Sequence, residues 1–186
     1  MEVTQEEARQ ALADIEIVRR QARRAVAYGG APYYSMLWGA IWFLGFLGSQ
    51  FLPYEASGLV WAGLSSLGGL LSLLSGIRLG LRVRSPLSAR IGLFWLSLLV
   101  YGALWIYLAR PADGALVSLF ISTLAMFGYV VMGLWLDNSF VWLGLGITIL
   151  ALIGYFGVRP YYSLWMAMLG GGALFGSGLY ILRRWK

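Results

Sequence analysis

The placement of charge constrains this chain more than any other feature. Its fourteen basic and eight acidic residues all lie outside six apolar stretches, each near the length a bilayer demands. A hydrocarbon core about 30 Å thick takes about 20 helical residues, and the stretches are 33–52, 58–77, 91–109, 114–136, 140–158 and 161–182. Each ends at proline, charge or a polar turn: Pro53, Arg78, Arg110-Pro111, Asp137-Asn138-Ser139, Arg159-Pro160 and Arg183-Arg184-Trp185-Lys186. Lipid offers no hydrogen bonds to the backbone, and the stretches are too long and continuous for barrel strands. The expected fold is therefore all-α, a polytopic transmembrane bundle of six spans (33–186) behind an N-terminal cytoplasmic amphipathic helix (1–32). With 60% hydrophobic and 12% charged residues, a water-soluble domain is excluded.

The basic residues orient this bundle, because cytoplasmic loops carry the excess of Lys and Arg. Six spans put both termini on one side. That side holds Arg9, Arg19, Arg20, Arg23 and Arg24, then Arg78, Arg82, Arg84 and Arg90, then Arg183, Arg184 and Lys186, which is twelve of the fourteen. Arg110 and Arg159 face the other way. The expected location is the plasma membrane, multi-pass, with both termini cytoplasmic. The first thirty residues mix five arginines with five acids and hold no signal-like apolar run, so the N-terminus is expected to be retained. Tyr33, Tyr34, Trp38, Trp135, Trp142, Tyr180 and Trp185 form an expected inner aromatic belt, and Tyr54, Trp61, Trp105, Tyr107, Tyr155, Tyr161 and Tyr162 an outer one.

The chain has no Cys and no His, which removes thiolate and imidazole metal sites, disulfides and histidine acid–base chemistry. No charge lies within a span, so proton relays and voltage sensing have no obvious carrier. Asp137, Asn138 and Ser139 read as a turn with N-capping residues for the fifth span. No catalytic, cofactor-binding or metal residue is assigned, and neither an enzyme nor a nucleic-acid partner is expected.

Ahead of the first span, Thr4 followed by Glu7 forms a capping-box pattern. Ala8, Ala11, Ile15, Val18, Ala22 and Ala25 then make one apolar seam at alternating spacings of three and four. Arg19, Arg20, Arg23 and Arg24 flank its later turns, and Gly29-Gly30 with Pro32 end it. Two roles stay open. The helix lies at the headgroups through its arginines, or it docks a cytoplasmic helix or domain through Ile15, Val18 and Ala22.

Small residues supply the other pattern. Gly68, Ser72, Gly76 and Gly80 recur every fourth residue in the second span, and Gly172 and Gly176 repeat that interval in the sixth. Such stripes let helix backbones approach closely where lipid supplies no hydrophobic drive. They suit packing within the chain, a subunit interface, or a narrow pathway lined by Gly, Ser and carbonyls. One internal match also stands out: Pro32-Tyr33-Tyr34-Ser35 with Gly48-Ser49, and Pro160-Tyr161-Tyr162-Ser163 with Gly176-Ser177, at identical offsets. The two segments enter the membrane from opposite faces and do not correspond to an inverted repeat of three plus three spans, so they are read as belt aromatics followed by packing glycines.

The run Tyr33, Tyr34, Trp38, Gly39 and Trp42 behind a charged helix resembles small uncharacterised bacterial polytopic membrane proteins, some encoded beside winged-helix regulators. The resemblance covers about the first fifty residues and carries over no activity and no functional residue. The expected function is that of a non-catalytic integral membrane accessory or regulatory protein, acting through helix packing with a protein partner or a second copy. The alternative is a small homo-oligomeric transporter or channel for a neutral or weakly polar solute.

Overall fold

The structure, a computed structural model, describes residues 30–82, 86–111 and 113–184, together with Arg9, Gln10, Ala13, Asp14 and Ile17; for 79–82 and 86–89 it describes the backbone alone. Those five N-terminal residues are helical and exposed. The docking-helix residues Ile15, Val18, Arg19, Arg20, Ala22, Arg23 and Arg24 lie outside the described residues.

Among the described residues beyond Gly30 the fold is all-α, with six helices: α1 (Ala31–Phe51), α2 (Tyr54–Arg82), α3 (Pro86–Ala109), α4 (Gly114–Trp135), α5 (Asn138–Gly157) and a composite α6 (Arg159–Arg184). Local chemistry sets their ends. Gly30 enters α1 with φ 89°, a left-handed turn that suits a residue without Cβ, and Pro32 sits in the first turn where its missing N–H costs nothing. Asp113 and Asp137 cap α4 and α5, their carboxylates accepting from the N–H groups of Ala115 (3.0 Å) and Ser139 (2.9 Å). Arg110 closes α3 at φ 42°, ahead of Pro111. Helices α2 and α3 begin earlier than the apolar pattern implies, at Tyr54 and Pro86, because Pro53 and Pro86 start helices as readily as they stop them.

Neighbouring helices run antiparallel. Trp61 and Val60 meet the end of α1 while Ser72 meets its start; Trp95 of α3 meets Met132 of α4; Val141 of α5 meets Gly133 of α4, and Trp165 of α6 meets Leu150 of α5. The core sits where α1, α4, α5 and α6 converge, on Trp42, Phe46, Leu119, Met126, Ile147, Ala151, Tyr162, Met166 and Leu174. Phe46 is its centre, with edge-to-face rings from Trp42, Trp61 and Tyr162 at 5.8, 5.1 and 6.3 Å. Helices α2 and α3 are outriggers, on α1 and α4 respectively.

Five of the helices, α2 to α6, are long and apolar enough to cross a membrane. Helix α1 is not among them, which corrects the expectation of six apolar spans at its first member. The cause is composition: Tyr33, Tyr34, Ser35, Trp38, Gly39, Trp42, Gly45, Gly48, Ser49 and Gln50 dilute its aliphatic content. The helix that buries Pro32, Ser35, Gly39, Trp42 and Phe46 along one face is also the one wedged between α2 and α6, so protein rather than lipid faces many of its polar and small groups.

Candidate functional site

The seam between α1 and α6 is where the chain departs furthest from regular helix. Helix α6 opens with a 3-10 turn (Arg159–Tyr161), makes one α turn (Tyr162–Trp165), widens into a π-helical segment (Met166–Gly171) and only then runs as α-helix (Gly172–Arg184). Such π segments concentrate at functional sites. The triplet Gly170-Gly171-Gly172 lowers the cost of leaving α geometry. Trp165 anchors the start of the wide segment: its ring lies over Gly154 and its Nε1–H donates to the Leu150 carbonyl at 2.8 Å.

Helix α1 answers each irregularity. A Cβ on Gly39 would sit 2.5 Å from the Phe175 nitrogen and 2.9 Å from the Gly171 carbonyl oxygen, and one on Gly178 would sit 2.5 Å from the Pro32 carbonyl oxygen. Backbone therefore lies directly on backbone. At the other end the Gln50 amide bridges the break. Its oxygen accepts from the Leu164 N–H at 3.2 Å, and its nitrogen donates to the Pro160 carbonyl at 3.4 Å, supplying partners that a helix terminus lacks. The Tyr-Tyr-Ser segments thus stand at opposite ends of one antiparallel pair. The offset that carries Pro32 onto Pro160 also carries position 50 onto 178, and the Pro32 carbonyl faces Gly178 just as the Pro160 carbonyl faces Gln50. The match marks a local two-fold pairing of α1 with α6, which the reading as belt residues missed.

The small-residue stripes divide. On α2, Gly68 takes the tip of Ile41, the Ser72 hydroxyl accepts from the Trp38 indole at 3.3 Å, and Gly76 lies 3.7 Å, measured from a Cβ built on it, from the Tyr34 hydroxyl. These three face α1; the surroundings of Gly80 lie outside the described residues. Gly172 and Gly176 meet nothing within 4 Å. The close approach of α6 to α1 falls instead on Gly171 and Gly178.

The aromatic belt divides in the same way. Tyr33, Trp135, Trp142, Tyr180, Tyr54, Trp105, Tyr107 and Tyr161 are exposed at helix ends. Trp38 and Trp61 pack between helices, the latter donating to the Ser49 hydroxyl at 2.8 Å in a cluster with Ser57. Tyr162 is only 2% exposed. Its hydroxyl is the one buried side-chain polar atom without a hydrogen-bond partner among the described residues, in the neighbourhood of the buried Ser122.

Tyr162 leads outward to a polar clasp. Its ring stands edge-on to Tyr155 at 6.0 Å. The Tyr155 hydroxyl donates to the Asp113 carboxylate at 3.3 Å, the Arg159 guanidinium pairs with the same carboxylate, and Arg159 also covers the Tyr155 ring at 5.0 Å. The clasp ties the start of α4 to the turn between α5 and α6. The Ala115 N–H first, and then the Arg159 guanidinium, hold the Asp113 carboxyl below the usual carboxylate range. A depressed folded-state value contributes stability that is present above the unfolded value of about 3.9 and is lost as pH falls through the folded one. Thermal unfolding in detergent is expected to show a falling midpoint below about pH 4, and Asp113→Ala to flatten part of that limb. An acid limb unchanged in the variant would mean that the clasp contributes nothing to it.

Chemically these arrangements bind helix to helix. Among the described residues no group of three or more His, Cys, Asp or Glu side chains stands together, and the polar side chains named above are mostly spent on one another or on exposed carbonyls. No protein-family model, no curated protein and no solved structure matches this chain.

Proposed function

We propose that the chain is a non-catalytic protein of the plasma membrane, crossing it six times with both termini cytoplasmic, and that it serves as an accessory or regulatory component that packs its helices against a protein partner. Two features support a sixth crossing by α1. It runs antiparallel to α2 and α6, both long and apolar enough to cross, and meets them at both of its ends. A chain crossing only from α2 onward would also leave seven basic residues on each side, against the usual inward bias.

The observation that carries the partner reading is the exposure of the outriggers. Only 6% of the apolar window of α2, and 6% of that of α3, is buried, against 39% in α6. Gly58, Gly63 and Gly69 on α2 and Gly92 on α3 meet no neighbouring atom within 4 Å, so both helices retain small-residue surface on which another helix can settle. A photo-crosslinker at Leu73 or Leu99, both exposed, is expected to trap one discrete protein in native membranes. Deleting residues 1–27 is expected to abolish that adduct while leaving the helices inserted. Lipid adducts alone at both positions would overturn the partner reading.

The second reading, a homo-oligomeric transporter or channel for a neutral or weakly polar solute, draws on the buried Tyr162 hydroxyl, which has no hydrogen-bond partner among the described residues, and on the Tyr155–Asp113–Arg159 clasp that its ring packs against. Solute flux in proteoliposomes holding this chain alone, retained after the same deletion, would favour it.

A further inference from the structure

A groove of about 480 Å³ opens between α5 and α6 at the end of the molecule that carries the chain's last residues. Its walls are Ser139, Phe140, Trp142 and Leu143 on α5, with Gly176 and Tyr180 among the residues on α6. The α6 wall is one helical face, Ala173, Gly176, Ser177, Tyr180 and Ile181, and the next position on that face is Arg184. Arg183 and Arg184 are exposed, and neither makes an ion pair among the described residues. Asp137 lies near the mouth, but it is buried and its carboxylate accepts from the Ser139 N–H. The groove is thus apolar along its length, with exposed aromatics Trp142 and Tyr180 on its walls and the exposed Arg183 and Arg184 at its end.

We infer that this groove is a binding site for an anionic phospholipid, with one acyl chain laid along Gly176 and Leu143 and the phosphate held at Arg183 and Arg184. Both flanking helices are long and apolar enough to cross a membrane, so lipid is the medium that fills an open groove on their outer face. The size lies within the range of about 300 to 1,000 Å³ usual for small-molecule pockets. Aromatic rings sit at headgroup level and basic pockets between membrane helices take acidic headgroups, so the charge selects the headgroup and the groove seats the chain. Gly176 is what makes the seat. With nothing within 4 Å of its Cβ position, a larger side chain there fills the groove without pressing on the fold. The inference depends on membrane embedding and is independent of the partner reading.

The test is native mass spectrometry of the full chain released from mixed micelles holding equal amounts of phosphatidylglycerol and phosphatidylcholine. The wild type is expected to retain one phosphatidylglycerol preferentially. Arg183→Gln with Arg184→Gln should reduce that preference about fivefold per arginine. Gly176→Leu should abolish the retained lipid while leaving the thermal midpoint in lipid-free detergent and the oligomer size unchanged. Equal retention of the two lipids by the wild type would overturn the inference, as would loss in the arginine variant with full retention in Gly176→Leu, which would put the headgroup outside the groove. A change of oligomer size in Gly176→Leu would also overturn it, in favour of a second copy of the chain as the occupant.

Discussion

Leucine in place of Gly39 or Gly178 is expected to unseat α1 from α6 and lower the thermal midpoint in detergent by about 10 °C, taking overpacking at about 3 kcal/mol and about 2–4 °C per kcal/mol for a chain of this size. The atoms in the way are backbone: the nitrogen of Phe175 and carbonyl oxygen of Gly171 for Gly39, and the carbonyl oxygen of Pro32 for Gly178. A side chain can rotate aside, but a helix backbone yields only by moving the whole helix. Three controls define the effect. Gly48→Ala places its Cβ at an ordinary 3.4 Å from Val60 and should be neutral. Gly172→Leu and Gly176→Leu enter open space and should leave the midpoint where it was. Midpoints equally lowered at all these positions would show that glycine content, not the α1–α6 approach, sets stability.

Reporter fusions after residue 1 and after residue 186 are expected to report the same, cytoplasmic compartment, with tags beside Ala56 and Ala112 reporting the opposite side. The outcome is all-or-none. If α1 does not cross, the first fusion switches sides while the other sites keep theirs, so this single fusion decides between five crossings and six. The expectation of six depends on two independent quantities. Twelve of fourteen basic residues lie on one side when α1 crosses, and seven on each side when it does not. Polar ties at both ends of α1, Ser35 with Tyr129 at one and Gln50 with the α6 backbone at the other, hold it alongside its neighbours over its whole length. Replacing Arg19, Arg20, Arg23 and Arg24 by glutamine should weaken the orientation of the first fusion most, since the positive-inside bias of the six-crossing proposal draws four of its twelve charges from them.

Much of the architecture was legible from local pattern. Helices are obligatory for unbroken apolar runs in lipid, and several of their ends follow from Asp137, Pro53 and Arg110-Pro111, whose chemistry acts within a few residues. The same locality explains the two kinds of error. Hydropathy averages over all faces of a helix, so it could not show that α1 carries its aromatics and glycines toward α2 and α6, nor that Tyr162 and Trp61 turn inward while Tyr161 and Tyr54 turn out. Four-residue spacing identifies a small-residue stripe but not the neighbour that the stripe faces. In α2, Gly68, Ser72 and Gly76 share the face toward α1; in α6, Gly171 and Gly178 meet α1 while Gly172 and Gly176 share an outward face.

The equal spacing of the two Pro-Tyr-Tyr-Ser segments was visible in the chain, but its meaning depended on α1 and α6 lying antiparallel, which residues so distant in sequence cannot specify by pattern alone. By itself the sequence determined that the chain is helical, that five of its helices are long and apolar enough to cross a membrane, and roughly where its helices lie along the chain. These follow from short-range backbone satisfaction and from the energetics of charge in lipid. Which glycines touch, which tyrosine is buried, how Asp113 finds Arg159 and how Gln50 finds the broken end of α6 were decided only by tertiary structure, because each requires two distant segments to meet at distances of about 3 Å, the length of a hydrogen bond.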